Sequence, residues 1–255
     1  MKKALLPPLL LSSIIAFSSA AAFAAHPLVT DDTGTVGKGR VQVELNGEYG
    51  REAGDGTTEY TTEVAPIITY GIVDTIDVVV GTPYQYIRTE NGDGTVEEDG
   101  AGDTSLEVKW RFYEKDGLGL ALKPGITLPA GDRKRGIGSG RVGYSLFLIG
   151  TQEVKPFAFH ANLGYVQNEN RNDERRDLWH ASFASEVEVV RRLSVVANIG
   201  VEASTDREES TAPAFVLGGI IYELSENLYL DAGYKHGLNK PETDSAILAG
   251  VTFTF

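Results

Sequence analysis

The sequence predicts an all-β fold: a transmembrane antiparallel up-and-down β-barrel of about twelve strands, with short periplasmic turns and longer extracellular loops. Three observations carry that expectation. Runs of about ten residues alternate apolar and polar side chains, the period-two signature of a strand with one face in lipid and the other in a lumen. The connectors between runs alternate in length, long and Gly-rich, then tight, as a barrel with one loop-bearing end requires. No window holds 18 consecutive apolar residues and no stretch keeps a helical period over several turns, so no helical span is expected.

Taken in order, the chain opens with Lys2 and Lys3, an apolar stretch over 5–17 interrupted by Pro7 and Pro8, and the small-residue site Ala22-Phe23-Ala24. This is the pattern of a secretory signal peptide, residues 1–24, expected to be cleaved. The stretch is shorter than the roughly 20 residues of a spanning helix. Residues 25–38 are expected to form a periplasmic N-terminal lead or a small lumen plug, and residues 39–255 the barrel.

The first strand run places Val41, Val43, Leu45, Gly47 and Tyr49 on one face and Arg40, Gln42, Glu44, Asn46 and Glu48 on the other. The fourth alternates most regularly, with Thr104, Leu106, Val108, Trp110 and Phe112 opposed to Ser105, Glu107, Lys109, Arg111 and Tyr113. Further runs cover 118–128, 157–165, 179–189, 193–201, 228–234 and 249–255, with weaker ones at 60–70, 76–86, 142–149 and 214–222. Long connectors are expected at 50–57, 89–102, 129–140, 167–177, 203–211 and 236–244, and tight ones at 71–75, 114–117, 150–154, 190–192 and 223–227. A soluble sandwich shares the alternation but has no reason to segregate its loops.

Aromatic residues near the ends of apolar faces, among them Tyr49, Tyr70, Trp110, Trp179, Tyr222 and Tyr234, suit the two membrane interfaces, where an apolar ring and a polar tip are both satisfied. The chain ends Val251-Thr252-Phe253-Thr254-Phe255. An alternating strand closing on an aromatic residue resembles the terminal signal read by the barrel assembly machinery. The partners expected are therefore that machinery, through the strand ending in Phe255, outer-membrane lipid and lipopolysaccharide, and a small-molecule cargo.

Composition excludes other classes. The formal charge of −13 becomes −15 once Lys2 and Lys3 leave, which argues against nucleic acid as a partner. Cysteine is absent, so neither disulfides nor Cys-type zinc and haem sites are available. No cofactor is implied. The run Gly136-Ile137-Gly138-Ser139-Gly140 is not followed by a helical pattern and is no phosphate loop, and Asn91-Gly92-Asp93-Gly94 lacks the ligand order of a calcium loop.

Several stretches resemble one outer-membrane family, that named for the MetA pathway of phenol degradation. They are His26-Pro27-Leu28 with Asp31-Asp32-Thr33-Gly34-Thr35 and Gly37-Lys38-Gly39, then Gly102-Asp103 leading into Val108-Lys109-Trp110-Arg111-Phe112. Lys123-Pro124-Gly125, Pro129-Ala130-Gly131-Asp132, the Gly136–Gly140 run, Leu224-Ser225-Glu226-Asn227-Leu228 and Asp231-Ala232-Gly233-Tyr234 continue the resemblance over nearly all of the mature chain. It implies a barrel that takes up small molecules, aromatic compounds among them, and it supplies no binding residue.

With the polar face turned inward, the lumen-lining candidates are the carboxylates Glu44, Glu48, Glu63, Asp77, Glu107, Glu186, Glu188 and Asp231 and the cations Arg40, Lys109, Arg111, Lys123 and Lys235. The carboxylate excess predicts a preference for cations over free anions if the lumen is open. Cross-pairing into a plugged, structural barrel is the alternative. Glu107, Lys109 and Arg111 read either as a constriction or as a salt-bridged wall. His180-Ala181-Ser182, with Asn198 on the next strand, has the spacing of a lipid-acting barrel enzyme, but the register turns these residues inward, so no catalytic role is expected. His26 with Asp31 and Asp32 is too sparse a set to predict a metal site. The expected function is an outer-membrane channel or facilitated-diffusion route, not an enzyme.

Overall fold

The structure, a computed structural model, describes residues 26–54, 56–92 and 94–255; the expected signal peptide lies outside the described residues. Its strands are β1 (Val41–Gly54), β2 (Thr57–Val73), β3 (Ile76–Gly81), β4 (Tyr84–Asn91), β5 (Gly94–Ala101), β6 (Thr104–Lys115) and β7 (Leu118–Leu128). After a single 3₁₀ turn (Arg133–Arg135) come β8 (Gly143–Val154), β9 (Phe157–Gln167), β10 (Asp177–Val190), β11 (Leu193–Glu202), β12 (Ala214–Ser225), β13 (Leu228–Gly237) and β14 (Ser245–Thr254). Every pairing is antiparallel, and β1 pairs with both β2 and β14, closing the wall. Closure leaves no strand edge within the apolar belt, which a bilayer demands because lipid offers no partner for a free N–H or C=O.

Twelve strands make the ring; β4 and β5 are a hairpin that rises from it, so 89–91 and 94–101 are paired strand where a loop over 89–102 is expected from its polarity. The cause lies at two interruptions at the same height. Pro83 ends β3, lacking the N–H that would continue its ladder, and Gly102 donates to the Pro83 carbonyl at 2.7 Å while packing against the proline ring. Thr82 and Thr104 bridge the same level through their hydroxyls, 2.9 Å apart. Below it β3 pairs with β6; above it β4 pairs with β2 and β5. The acidic stretch Glu97-Glu98-Asp99 lies on β5, where charge discourages pairing with another chain.

The tight turns have local causes. Asp116 and Gly117 both take positive φ, 52° and 79°, as a two-residue hairpin turn prefers. The register shifts at Gly71/Val73, Arg111/Tyr113, Glu188/Val190 and Glu223/Ser225, one beside each of four tight turns. The shift in β6 turns Tyr113 outward at 41% exposure, against its expected inward position.

Burial is inverted relative to a soluble protein. Leu45, Ile68, Trp110, Leu146, Leu163, Ile199 and Ile247 are exposed, while Thr69, Asp77, Asn162, Asn198 and Thr252 are buried. Large apolar side chains around the whole exterior of a closed sheet form a lipid belt, and the protein is an outer-membrane barrel.

Candidate functional site

Residues 26–38 run across the inside of the barrel, where hydrogen bonds tie them to strands on every side. His26 pairs with Asp231 on β13, and Leu28 packs on the inward apolar residues of β11–β14. Asn198 on β11 accepts from the N–H groups of Val29 and Thr30 at 2.8 and 3.1 Å and donates to the Thr30 hydroxyl at 2.7 Å. Asn162 on β9, with its amide oriented to satisfy both groups, clasps the Asp31 backbone at 2.7 and 2.9 Å. Thr33 donates its N–H to Thr151 on β8 (3.0 Å), and Val36 donates to Asp77 on β3 (3.0 Å). Gly39 then hydrogen-bonds Gly71 and leads into β1.

Asp31 is the electrostatic centre of this crossing. Its two carboxylate oxygens take Lys109 at 2.7 Å and Lys123 at 2.8 Å, and Lys123 also lies 3.6 Å from Glu107. Lys109 further donates to the Asp32 carbonyl, and Lys123 sits 5.7 Å from the Phe147 ring centroid. Thus Glu107, Lys109 and Arg111 do not act as one ladder: Arg111 turns to the Asp74 carbonyl (3.1 Å) and to Glu114 at the tight turn.

The other candidates fall at distinct heights. Glu48 and Glu63 face each other across the β1–β2 ladder and, with Glu52 and Glu59, line a cavity of about 180 Å³. Lys235 reaches Glu48 at 3.0 Å and Glu242 at 3.7 Å, and Gln85 donates to Glu63 at 2.7 Å. Burial holds Glu242, in the loop above, over the usual carboxylate range, with Lys235 pulling the other way. Glu44 accepts from the Gln42 and Asn46 amides. Glu186 takes a hydrogen bond from Ser194, whereas Glu188 is at the β10–β11 turn, accepting from Arg192 N–H at 3.3 Å. Arg40, ahead of β1, is exposed at the same end.

The structure also forms a cluster the sequence pointed to with the wrong third member. His180 Nε2 lies 2.9 Å from Ser182 Oγ, and Nδ1 lies 3.1 Å from Glu202, not from Asn198, which is committed to Thr30. Serine, histidine and carboxylate are in relay order, yet the strand around Ser182 is paired on both sides with β9 and β11. Its backbone N–H groups are therefore spent on the ladder and none is left to serve an oxyanion beside Ser182, which is itself buried.

Beside the N-terminal segment lies a second cavity of about 220 Å³, between Leu28, Val29 and Val36 on one side and β1, β2, β3, β6 and β7 on the other. Strand alternation could not have pointed to it, because its walls meet only through the crossing. His26 and Asp31 likewise find side-chain partners in the wall, while Asp32 donates its N–H to Asp31 at 2.9 Å and its carboxylate accepts from Gly34 N–H within the segment. No cluster able to hold a metal ion occurs among the described residues.

Comparison with known proteins agrees with this architecture. The COG4313 outer membrane channel from Pseudomonas putida F1 is similar in structure with a TM-score of 0.68 at 13% identity, covering 88% of this chain and 98% of that one. The KdgM porin matches with a TM-score of 0.57 at 9% identity, over 84% of this chain and 99% of that one. NanC porin matches with 0.51 at 11% identity, over 83% and 98%. No curated protein sequence matches the chain significantly. A family model described as "Putative MetA-pathway of phenol degradation" matches residues 24–255.

Proposed function

The chain belongs to the MetA-pathway of phenol degradation family, and from that premise we propose that its barrel is a passive channel for small solutes, aromatic and other hydrophobic molecules among them. One observation carries the proposal: the lumen keeps open space beside the segment that crosses it. The cavity of about 220 Å³ exceeds the roughly 150 Å³ that suffices to take up benzene. The lining candidates above, from Glu44 to Lys235, are then the groups a solute passes. Transport runs downhill, since neither a plug domain of the size used by active transporters nor a nucleotide-binding motif is in the sequence. The similar barrel from Pseudomonas putida F1 is likewise an outer membrane channel.

The reading is non-catalytic, because the backbone N–H groups around Ser182 in the His180–Ser182–Glu202 cluster are committed to the β9 and β11 ladders. It takes residues 1–24 as a removed export signal and residues 25–38 as a small lumen plug ahead of the barrel. Its partners are outer-membrane lipid, lipopolysaccharide and the assembly machinery that reads the strand ending in Phe255.

A second reading, a closed structural barrel, is favoured by the ion pairs of Asp31 with Lys109 and Lys123. Permeation into vesicles carrying the protein separates the two, with a neutral sugar, a monovalent cation, benzoate and a neutral aromatic under matched gradients. The channel reading expects the neutral aromatic to enter faster than through protein-free vesicles. Entry of none of the four would leave only the closed barrel.

A further inference from the structure

We propose that the cavity beside the N-terminal segment is a binding site for a small organic ammonium ion carrying one apolar ring. This rests on the lumen being open to solutes, and it specifies which solutes the cavity retains.

The cavity holds four carboxylates, Asp31, Glu44, Asp77 and Glu107, against two ammonium groups, Lys109 and Lys123. Both lysines are already engaged, by Asp31 and by Glu107. Asp77 and Glu44 are left without a salt bridge among the described residues. Asp77 is 2% exposed; one of its oxygens accepts from Val36 N–H, and the other has no hydrogen-bond partner. Lys109 and Arg111 act on it only from beyond ion-pair distance. Glu44 has only amide donors, from Gln42 and Asn46, and the Asn46 amide oxygen is itself unpartnered.

A buried carboxylate oxygen with nothing to accept from is costly, and a cationic donor in the cavity that Asp77 lines removes the cost. Leu28, Val36, Ile67 and Val79 give the same space an apolar side. A cationic N–H donor attached to a single ring satisfies both halves. A carboxylate ligand would meet the uncompensated charges and is rejected.

The test is calorimetric titration of the whole protein in detergent with benzylammonium, benzyl alcohol and benzoate. Benzylammonium is expected to bind about tenfold or more tightly than the alcohol, and benzoate not at all. Glu44→Gln and Asp77→Asn should each weaken benzylammonium by about tenfold and leave the alcohol unchanged, while Val79→Phe, which fills the space, should abolish both. Should Asp77→Asn fail to fold because it also holds Val36, Glu44→Gln decides alone. Equal affinity for alcohol and ammonium, or undiminished ammonium binding in Glu44→Gln, overturns the proposal. Vesicle permeation by the same preparation keeps the two readings apart: binding without permeation sinks the channel and leaves the site, and permeation without binding does the reverse.

Discussion

Asn198 clasps Thr30 from both sides of its amide, the oxygen accepting from Thr30 N–H at 3.1 Å and the nitrogen donating to the Thr30 hydroxyl at 2.7 Å. Both residues are buried, and the same oxygen serves Val29 N–H. Replacing Asn198 with Leu strands these groups at a cost of about 1–3 kcal/mol. The chain has no cysteine, so Thr33→Cys gives a single reporter on the segment. Adding Asn198→Leu to it should speed labelling by a soluble thiol reagent at least about fivefold, if labelling follows local opening. An unchanged rate would mean that the clasp does not hold the segment.

Removing the Asp31 carboxylate takes the shared counter-charge from two ammonium groups at once, because Lys109 and Lys123 meet on it at 2.7 and 2.8 Å. Among the described residues this leaves Lys109 with no ion pair and Lys123 with only Glu107 at 3.6 Å. Asp31→Ala should therefore raise anion over cation permeability by roughly threefold to tenfold, as lumenal cations do in other pores. Reversal potentials in a salt gradient across a planar bilayer measure it. The double variant with Lys109→Ala should return part of the shift.

How much of this was legible in the sequence depended on what each strand faces. In β6, Leu106, Val108 and Trp110 meet lipid while Glu107, Lys109 and Arg111 face inward, so alternation marks both faces. In β12 it fails, because Phe215, Leu217 and Ile221 point inward to an apolar side of the lumen where Leu28 packs, while Val216, Ile220 and Tyr222 face lipid. The inward turn of the polar face was readable in β6, but its pairing was not. Lys109 and Lys123 find Asp31 78 and 92 positions away, in a segment with no period of its own. Glu202 was hidden as the partner of His180 for the same reason: only the β10–β11 register brings them opposite.

Gly71 shows how closely the segment seats. A Cβ there would lie 1.9 Å from the Gly37 carbonyl oxygen, so Gly71→Ala must displace backbone. The expected cost is about 1–3 kcal/mol, expressed in the segment and not in the wall, and read as faster labelling of Thr33→Cys with an unaltered heat-modifiable gel shift. Gly54, with nothing within 4 Å of its would-be Cβ, is the control: Gly54→Ala should change neither.

The lipid belt makes a separate prediction about the wall. Leu148 is exposed near the middle of β8, between the inward Phe147 and Ile149. Leu148→Arg should destabilise the barrel by about 2–4 kcal/mol in bilayers if the site lies at the midplane. Urea titration of folding into lipid vesicles measures the difference. A cost near zero would place β8 elsewhere than in a hydrocarbon core.

Asp244 ties the β13–β14 loop to the end of β1. It accepts from Ala53 N–H at 2.8 Å and from Lys240, which itself donates to the Ala53 carbonyl at 2.9 Å. The hydrogen bond from Lys240, followed by that from Ala53, holds its carboxyl below the usual range. A carboxylate depressed in the folded state stabilises fully above its unfolded value, about 3.9, and loses that contribution as pH falls through the lower folded value. The loop should thus remain docked from neutral pH to about pH 4 and loosen only below it. Mobility of a spin label at Asn239→Cys, followed from pH 7 downward, should rise in that acid window. In Asp244→Asn the label should be more mobile at neutral pH and respond little to acid. A wild-type transition near neutrality would assign the tether to another group.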